Sequence, residues 1–145
     1  MIGIIDAKSG NIGSLQNALK YLDIKFNLID KSSDLKDYNK IILPGVGSFN
    51  NLKKNLINLS LYKSLRKFIE NENNYFLGIC VGMQILLSKG TEDEESEGLD
   101  FFKGNVINFN DIKKVKTPNI NWLDINIKKK DQIVENSEKK NYYFL

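Results

Sequence analysis

The sequence predicts an α/β fold: an open parallel sheet with helices on both faces, joined to a smaller mixed or antiparallel edge. Three observations predict it. Short apolar runs alternate with stripes of helical period from residue 2 to residue 88, the order of a parallel sheet with crossover helices. Those runs are apolar throughout instead of alternating, as strands covered on both faces are. After Gly90 the pattern breaks into an acidic stretch and shorter β-prone runs.

The elements come in this order. Ile2-Gly3-Ile4-Ile5-Asp6 is an apolar run closed by a polar residue, a first strand whose carboxyl end opens onto the turn cluster Ser9-Gly10-Asn11. Leu15, Ala18, Leu19 and Leu22 then form one stripe of an amphipathic helix, with Asn11 or Ser14 as its cap. Residues 26–29 predict a second strand and residues 40–43 a third, stopped by Pro44. Leu52, Leu56, Leu59, Leu65, Phe68 and Ile69 predict one long or two shorter helices. Residues 75–79 predict a fourth strand running into Cys80, and residues 81–88 a helix. Beyond that, residues 91–97 read as a surface loop, and residues 106–109 and 122–127 as short strands. Residues 131–141 are polar and weakly patterned.

At 145 residues the chain has the size of one domain, and we expect residues 1–145 to form a single domain that is incomplete at its C-terminus. The reason is the last four residues, Tyr142-Tyr143-Phe144-Leu145, an apolar β-prone run where a domain usually has polar, frayed residues. Net charge is only +3, and the clusters at Lys113-Lys114-Val115-Lys116 and Lys128-Lys129-Lys130 accompany no nucleic-acid motif, so they read as solvated surface. A single cysteine cannot form an internal disulfide, and the N-terminus has neither a basic flank nor a long apolar stretch. A cytoplasmic protein with no membrane span is expected.

The chemistry centres on Phe76-Leu77-Gly78-Ile79-Cys80-Val81-Gly82-Met83-Gln84. A thiol attacks as its thiolate, a form that backbone N–H groups at a helix N-terminus favour. A lone cysteine is most often a small core side chain. Here a glycine two residues to either side and a strand-to-helix switch argue for a nucleophile elbow instead. One strand away, Pro44-Gly45-Val46-Gly47-Ser48-Phe49 is a glycine-rich loop at a strand's carboxyl end, where ligands of α/β sheets bind. Its backbone N–H groups are candidates for meeting a developing oxyanion. Asp6-Ala7-Lys8-Ser9-Gly10-Asn11-Ile12-Gly13-Ser14 either binds an anion or braces the site, and lacks the Gly-Lys-Ser/Thr of a phosphate loop. The chain has no histidine, the usual partner of a thiol nucleophile.

These segments, with Glu97-Gly98-Leu99 leading to Gly104 and Val106, resemble class I glutamine amidotransferases, specifically the glutaminase subunit of imidazole glycerol phosphate synthase. The resemblance runs along the whole chain and is most specific in Leu77-Gly78-Ile79-Cys80-Val81-Gly82-Met83-Gln84. It implies a flavodoxin-like sheet, no cofactor and no metal. It implies that Cys80 attacks the side-chain amide of glutamine to give a thioester and ammonia. The Val81 N–H and the loop of Gly45, Val46 and Gly47 would form the oxyanion site, and Gln84 would hold the substrate glutamine. Ammonia would pass to a cyclase subunit, a (β/α)₈ barrel, in histidine biosynthesis. Trp122 and Asn119 would lie toward that partner.

The chain departs from the family pattern in three places. Ala7 replaces a tyrosine, and Asn119 and Asn121 stand where the family has histidine and glycine beside Trp122. The family's late His-x-Glu pair has no counterpart, so the chain is expected to be a C-terminal truncation with little or no glutaminase activity. The alternatives are a paralogous glutaminase serving a sugar-modifying synthase, a non-catalytic short form that only docks on the synthase, or another cysteine enzyme on a flavodoxin-like fold.

Overall fold

The computed structural model describes residues 1–92, 94–112, 118–129, 131, 134 and 141–144. The lysine cluster at 113–116, Lys130, most of the polar stretch 131–141 and Leu145 lie outside the described residues. The chain divides into two compact units, Met1–Asn108 and Phe109–Leu145.

The first unit is built on four parallel strands in the order β2-β1-β3-β4: β1 (Ile2–Ile5), β2 (Phe26–Ile29), β3 (Lys40–Gly45) and β4 (Tyr75–Cys80). Because side chains alternate across a strand, the apolar runs feed two cores. Ile4 and Ile42, register partners, face α1 (Ile12–Tyr21) and meet Leu19. Ile5, Ile41 and Leu43 face the other way, toward α2 (Phe49–Asn58) and α3 (Tyr62–Glu70), and bury Phe49, Leu52, Leu56, Leu65 and Phe68. Fully burying one such side chain contributes about 1.5–3 kcal/mol, so this second face is the main anchor of the unit. The predicted sheet with helices on both faces is what the chain forms.

Caps set the helix ends. Asn11 begins α1, its side chain accepting from the Ser14 N–H, and Ser48 begins α2 by accepting from the Asn51 N–H. The 49–70 stretch is two helices because Ser60 takes a φ of 58° between them.

Several boundaries differ from the expectations from sequence: besides those that follow, the strand expected over 122–127 covers Asn121–Asp124, and the loop expected over 91–97 ends in a short strand. Pro44 does not stop β3, which continues to Gly45. β1 partners β3 only at Gly3↔Ile41 and Ile4↔Ile42, so no ladder bond on that side needs the N–H that proline lacks. The helix expected over 81–88 is a single turn, α4 (Val81–Gln84), followed by β5 (Leu87–Gly90). Carbonyls of Ile85, Leu86, Leu87 and Ser88 accept from the N–H groups of Leu99, Phe101, Asp100 and Gly98, so a tertiary ladder displaces the helical one. The strand expected over 106–109 lies earlier, as β7 (Phe102–Val106), parallel to β5; residues Phe109–Asp111 form a 3₁₀ turn. A short β6 (Ser96–Glu97) pairs antiparallel with β5, which makes this second sheet mixed.

In the second unit β8 (Asn121–Asp124) pairs antiparallel with β9 (Asn141–Phe144). Trp122 faces Tyr143 in that register, their ring centroids 5.6 Å apart. Among the described residues, no helix is long and apolar enough to cross a membrane.

Candidate functional site

β3 and β4 end together. Their register runs Leu43↔Gly78, Pro44↔Ile79, Gly45↔Cys80, and α4 starts at the next residue, Val81. To make that turn, Cys80 adopts φ 55° and ψ −118°, a conformation that L-residues avoid. Such a residue costs about 1–3 kcal/mol and persists only where its surroundings enforce it. Here glycines do so. A Cβ on Gly78 would collide with the Gly82 backbone, a Cβ on Gly82 with the Leu43 carbonyl, and a Cβ on Gly45 would sit 2.9 Å from the Gly82 nitrogen. The turn of α4 therefore lies directly on the ends of two strands and leaves the Cys80 thiol exposed at the tip. Val81 is buried beneath it, and its N–H belongs to a first helical turn, where no intrahelical carbonyl can accept it.

The glycine loop leaves β3 at the same level. Gly45 is buried, Val46 is half-exposed, and Gly47 has φ 94° with open space around it. The Val46 N–H donates to the Ser9 carbonyl, 2.5 Å away, and Gly10 lies against Pro44. In this conformation the Val46 amide is thus engaged away from the thiol, and the loop after β1 braces the glycine loop. That bracing is the alternative the sequence left open for residues 6–14.

Two charged residues in the brace pair with each other. Lys8 sits at φ 55° with its Nζ 2.6 Å from the Asp6 carboxylate. Burial raises the Asp6 pKa, but the hydrogen bonds from the Lys8 side chain and backbone together with its charge outweigh it, so the net shift is downward. The Ser9 hydroxyl is enclosed without a hydrogen-bond partner.

Gln84 ends the α4 turn, half-buried, with its side-chain oxygen enclosed and unpartnered. Cys80, Val81, Gly45, Val46, Gly47 and Gln84 are thereby carried on adjoining segments. Asn119 and Trp122 are exposed in the second unit, Trp122 within β8. Two participants are not visible in the sequence. Ser9 acts through its carbonyl, for which sequence carries no signal. Glu92, in the acidic loop, accepts from the Phe49 N–H at 3.3 Å across 43 residues of chain.

An exposed cysteine on a strand-to-helix elbow, paired in register with the start of a glycine loop, is what this α/β sheet presents at the ends of β3 and β4. The model of the SNO glutamine amidotransferase family matches residues 6–117, and this chain belongs to the glutamine amidotransferase family. It is similar to imidazole glycerol phosphate synthase subunit HisH 1 of Campylobacter jejuni subsp. jejuni serotype O:23/36 (strain 81-176), 36% identical over all of this chain and 73% of that one. It is also similar to subunit HisH of Methanocaldococcus jannaschii, 39% identical over 99% of this chain and 70% of that one. Subunit HisH of Leptospira borgpetersenii is 38% identical over all of this chain and 72% of that one. A crystal structure of a glutamine amidotransferase shares the fold, with a TM-score of 0.63 at 24% identity, over 73% of this chain and 55% of that one. This chain thus spans about 70% of the length of these HisH relatives and little more than half of that solved chain.

Proposed function

We propose that this chain carries the nucleophile half of a glutaminase reaction, with Cys80 as the attacking group. The observation that carries the reading is the pairing of Gly45 with Cys80, which sets a donor-rich loop beside an exposed thiol. The Cys80 thiolate attacks the side-chain amide carbon of glutamine, forming a C–S bond. The carbonyl electrons move to oxygen, and the Val81 N–H and the amides of the glycine loop are the candidates for meeting that charge, the Val46 N–H only after it leaves the Ser9 carbonyl. Collapse of the intermediate breaks the C–N bond, the departing nitrogen takes a proton, and ammonia and a thioester result. Water then hydrolyses the thioester to glutamate and regenerates the thiol. Gln84, one turn from the thiol, is the residue we propose holds the substrate glutamine; its unpaired side-chain oxygen is enclosed here and would have to turn outward to accept from the substrate.

The HisH relatives are named as subunits of imidazole glycerol phosphate synthase, which implies a second subunit in that enzyme. We propose that ammonia passes to a cyclase subunit of (β/α)₈ form in histidine biosynthesis, with Trp122 and Asn119 on the docking face. The 145 residues contain no histidine. Proton transfer to the leaving nitrogen therefore lacks its usual carrier, and turnover by this polypeptide alone is expected near background.

The test is ligand stabilisation. L-Glutamine should raise the melting temperature of the wild type and of Cys80→Ser, because binding does not need the thiol, while L-asparagine should not. Equal shifts with both amino acids, or none, would contradict the proposal.

A further inference from the structure

We infer that Glu92 is a positioning residue: its carboxylate ties the acidic loop to the first turn of α2 and so holds the glycine loop beside Cys80. The inference rests on the roles proposed for Cys80 and the glycine loop.

The glycine loop is short, and its conformation depends on its two ends. Gly47 is exposed with a φ of 94°, and a Cβ there would meet nothing within 4 Å, so this residue has no side-chain contact to hold it. One end is fixed by the ladder at Gly45↔Cys80 and by the Val46 N–H on Ser9. The other end is Phe49, the first residue of α2. A helix start favours negative charge, yet α2 has no acidic residue in its own first turn. Ser48 satisfies the Asn51 N–H at 3.4 Å, and Glu92 reaches in from the acidic loop to accept the Phe49 N–H at 3.3 Å. The charge missing from the helix is thus supplied from a distant segment.

The acidic loop is itself well held. The Phe49 ring is buried against both ends of it: a Cβ on Gly90 would meet the ring at 2.6 Å and one on Gly98 at 3.1 Å. The Asn50 side chain donates to the Glu94 carbonyl at 2.9 Å, and the Tyr62 hydroxyl to the Glu97 carbonyl at 3.2 Å. Asn108 donates to the Glu92 carbonyl at 3.5 Å. A loop anchored at these points is a firm base from which one carboxylate can fix the helix start, and through it the loop four residues upstream.

The experiment compares wild type with Glu92→Ala, Glu92→Gln and Asn50→Ala in two assays. In the first, amide hydrogen exchange should quicken for residues 44–52 in Glu92→Ala and stay unchanged for residues 2–29. In the second, Cys80 is alkylated either by a chloroketone analogue of glutamine or by iodoacetamide, and the adduct is followed by intact mass. Chloroketone labelling of Glu92→Ala should slow about three- to tenfold, the range that loss of one capping bond supports. Iodoacetamide labelling should not change. Glu92→Gln should retain most of the wild-type rate, since its amide oxygen still accepts the Phe49 N–H. Asn50→Ala, which cuts a different tether, should show the same pattern more weakly, and it decides the matter if Glu92→Ala does not fold. Unchanged exchange, equal slowing with both reagents, or Glu92→Gln as slow as Glu92→Ala would overturn the inference; the last would assign the charge to the ligand. If the wild type does not react with the chloroketone at all, the glutamine reading fails, and the exchange assay still decides whether Glu92 holds the loop.

Discussion

Gly45 and Cys80 are direct register partners across β3 and β4, the last pair of that ladder. Their pairing means that sheet hydrogen bonding brings the β3 end of the glycine loop beside the thiol, while the other end of the loop is held at Phe49. It also concentrates backbone strain at one residue, and that leads to the first prediction.

Cys80→Gly should stabilise the chain while abolishing its thiol chemistry. Relief at φ 55° recovers about 1–3 kcal/mol, and the added flexibility of glycine in the unfolded chain returns about 0.5–1 kcal/mol of that. Urea unfolding should therefore show a net gain of about 1 kcal/mol. A loss would mean that the thiol makes a stabilising contact.

Glycines with similar sequence surroundings should respond in opposite ways. Gly82→Ala and Gly78→Ala place a methyl group into main-chain atoms, and each should cost about 3 kcal/mol or more, or leave the chain unfolded. Gly13→Ala lies within α1, where a Cβ meets nothing within 4 Å. It should gain about 0.5–1 kcal/mol. Thermal melts of the three variants check the contrast.

The Asp6–Lys8 pair makes a pH prediction. The folded-state pKa of Asp6 lies below its ordinary value of 3.8, so its contribution is present above that value and is lost as pH falls through the lowered one. Lys8→Gly removes the partner and also relieves a positive φ. At pH 7 the variant should be at least as stable as wild type, because an ion pair whose lysine is solvent-exposed contributes little and the positive φ is relieved. Between pH 7 and pH 3 it should lose less stability than wild type does. Parallel pH dependences would show that the pair does not matter to folding.

The Ser9 hydroxyl is enclosed and unpartnered, while the Ser9 carbonyl does the bracing. Ser9→Ala should therefore keep the brace and raise stability by about 1 kcal/mol in urea unfolding. Destabilisation would reveal a partner for the hydroxyl.

The first half of the fold was legible because its strands are short apolar runs, β1 and β3 being buried on both faces, and its helices carry one apolar stripe. Periodicity alone then places β1, β2, β4 and α1 to within a residue or two of their observed ends. The elbow was legible because Gly78, Cys80 and Gly82 mark a steric requirement in sequence. The segment after Gln84 was not legible. Ile85, Leu86 and Leu87 read as helix, and only pairing with residues 98–102, invisible locally, ends the helix after one turn and starts a strand at Leu87. Glu92 escaped for a related reason: it sits in an acidic run that reads as solvated loop, and its partner Phe49 is 43 residues away. The glycine loop was legible by its glycines, but the engagement of the Val46 N–H by Ser9 depends on a backbone orientation that residue identity does not specify.

The most direct test of the central claim is covalent capture at Cys80. Wild-type protein treated with a chloroketone analogue of glutamine should gain one adduct, located on Cys80 by peptide mass, and excess L-glutamine should slow its formation while L-asparagine does not. Labelling that is indifferent to glutamine, or no faster than labelling of the same thiol in urea, would contradict the account.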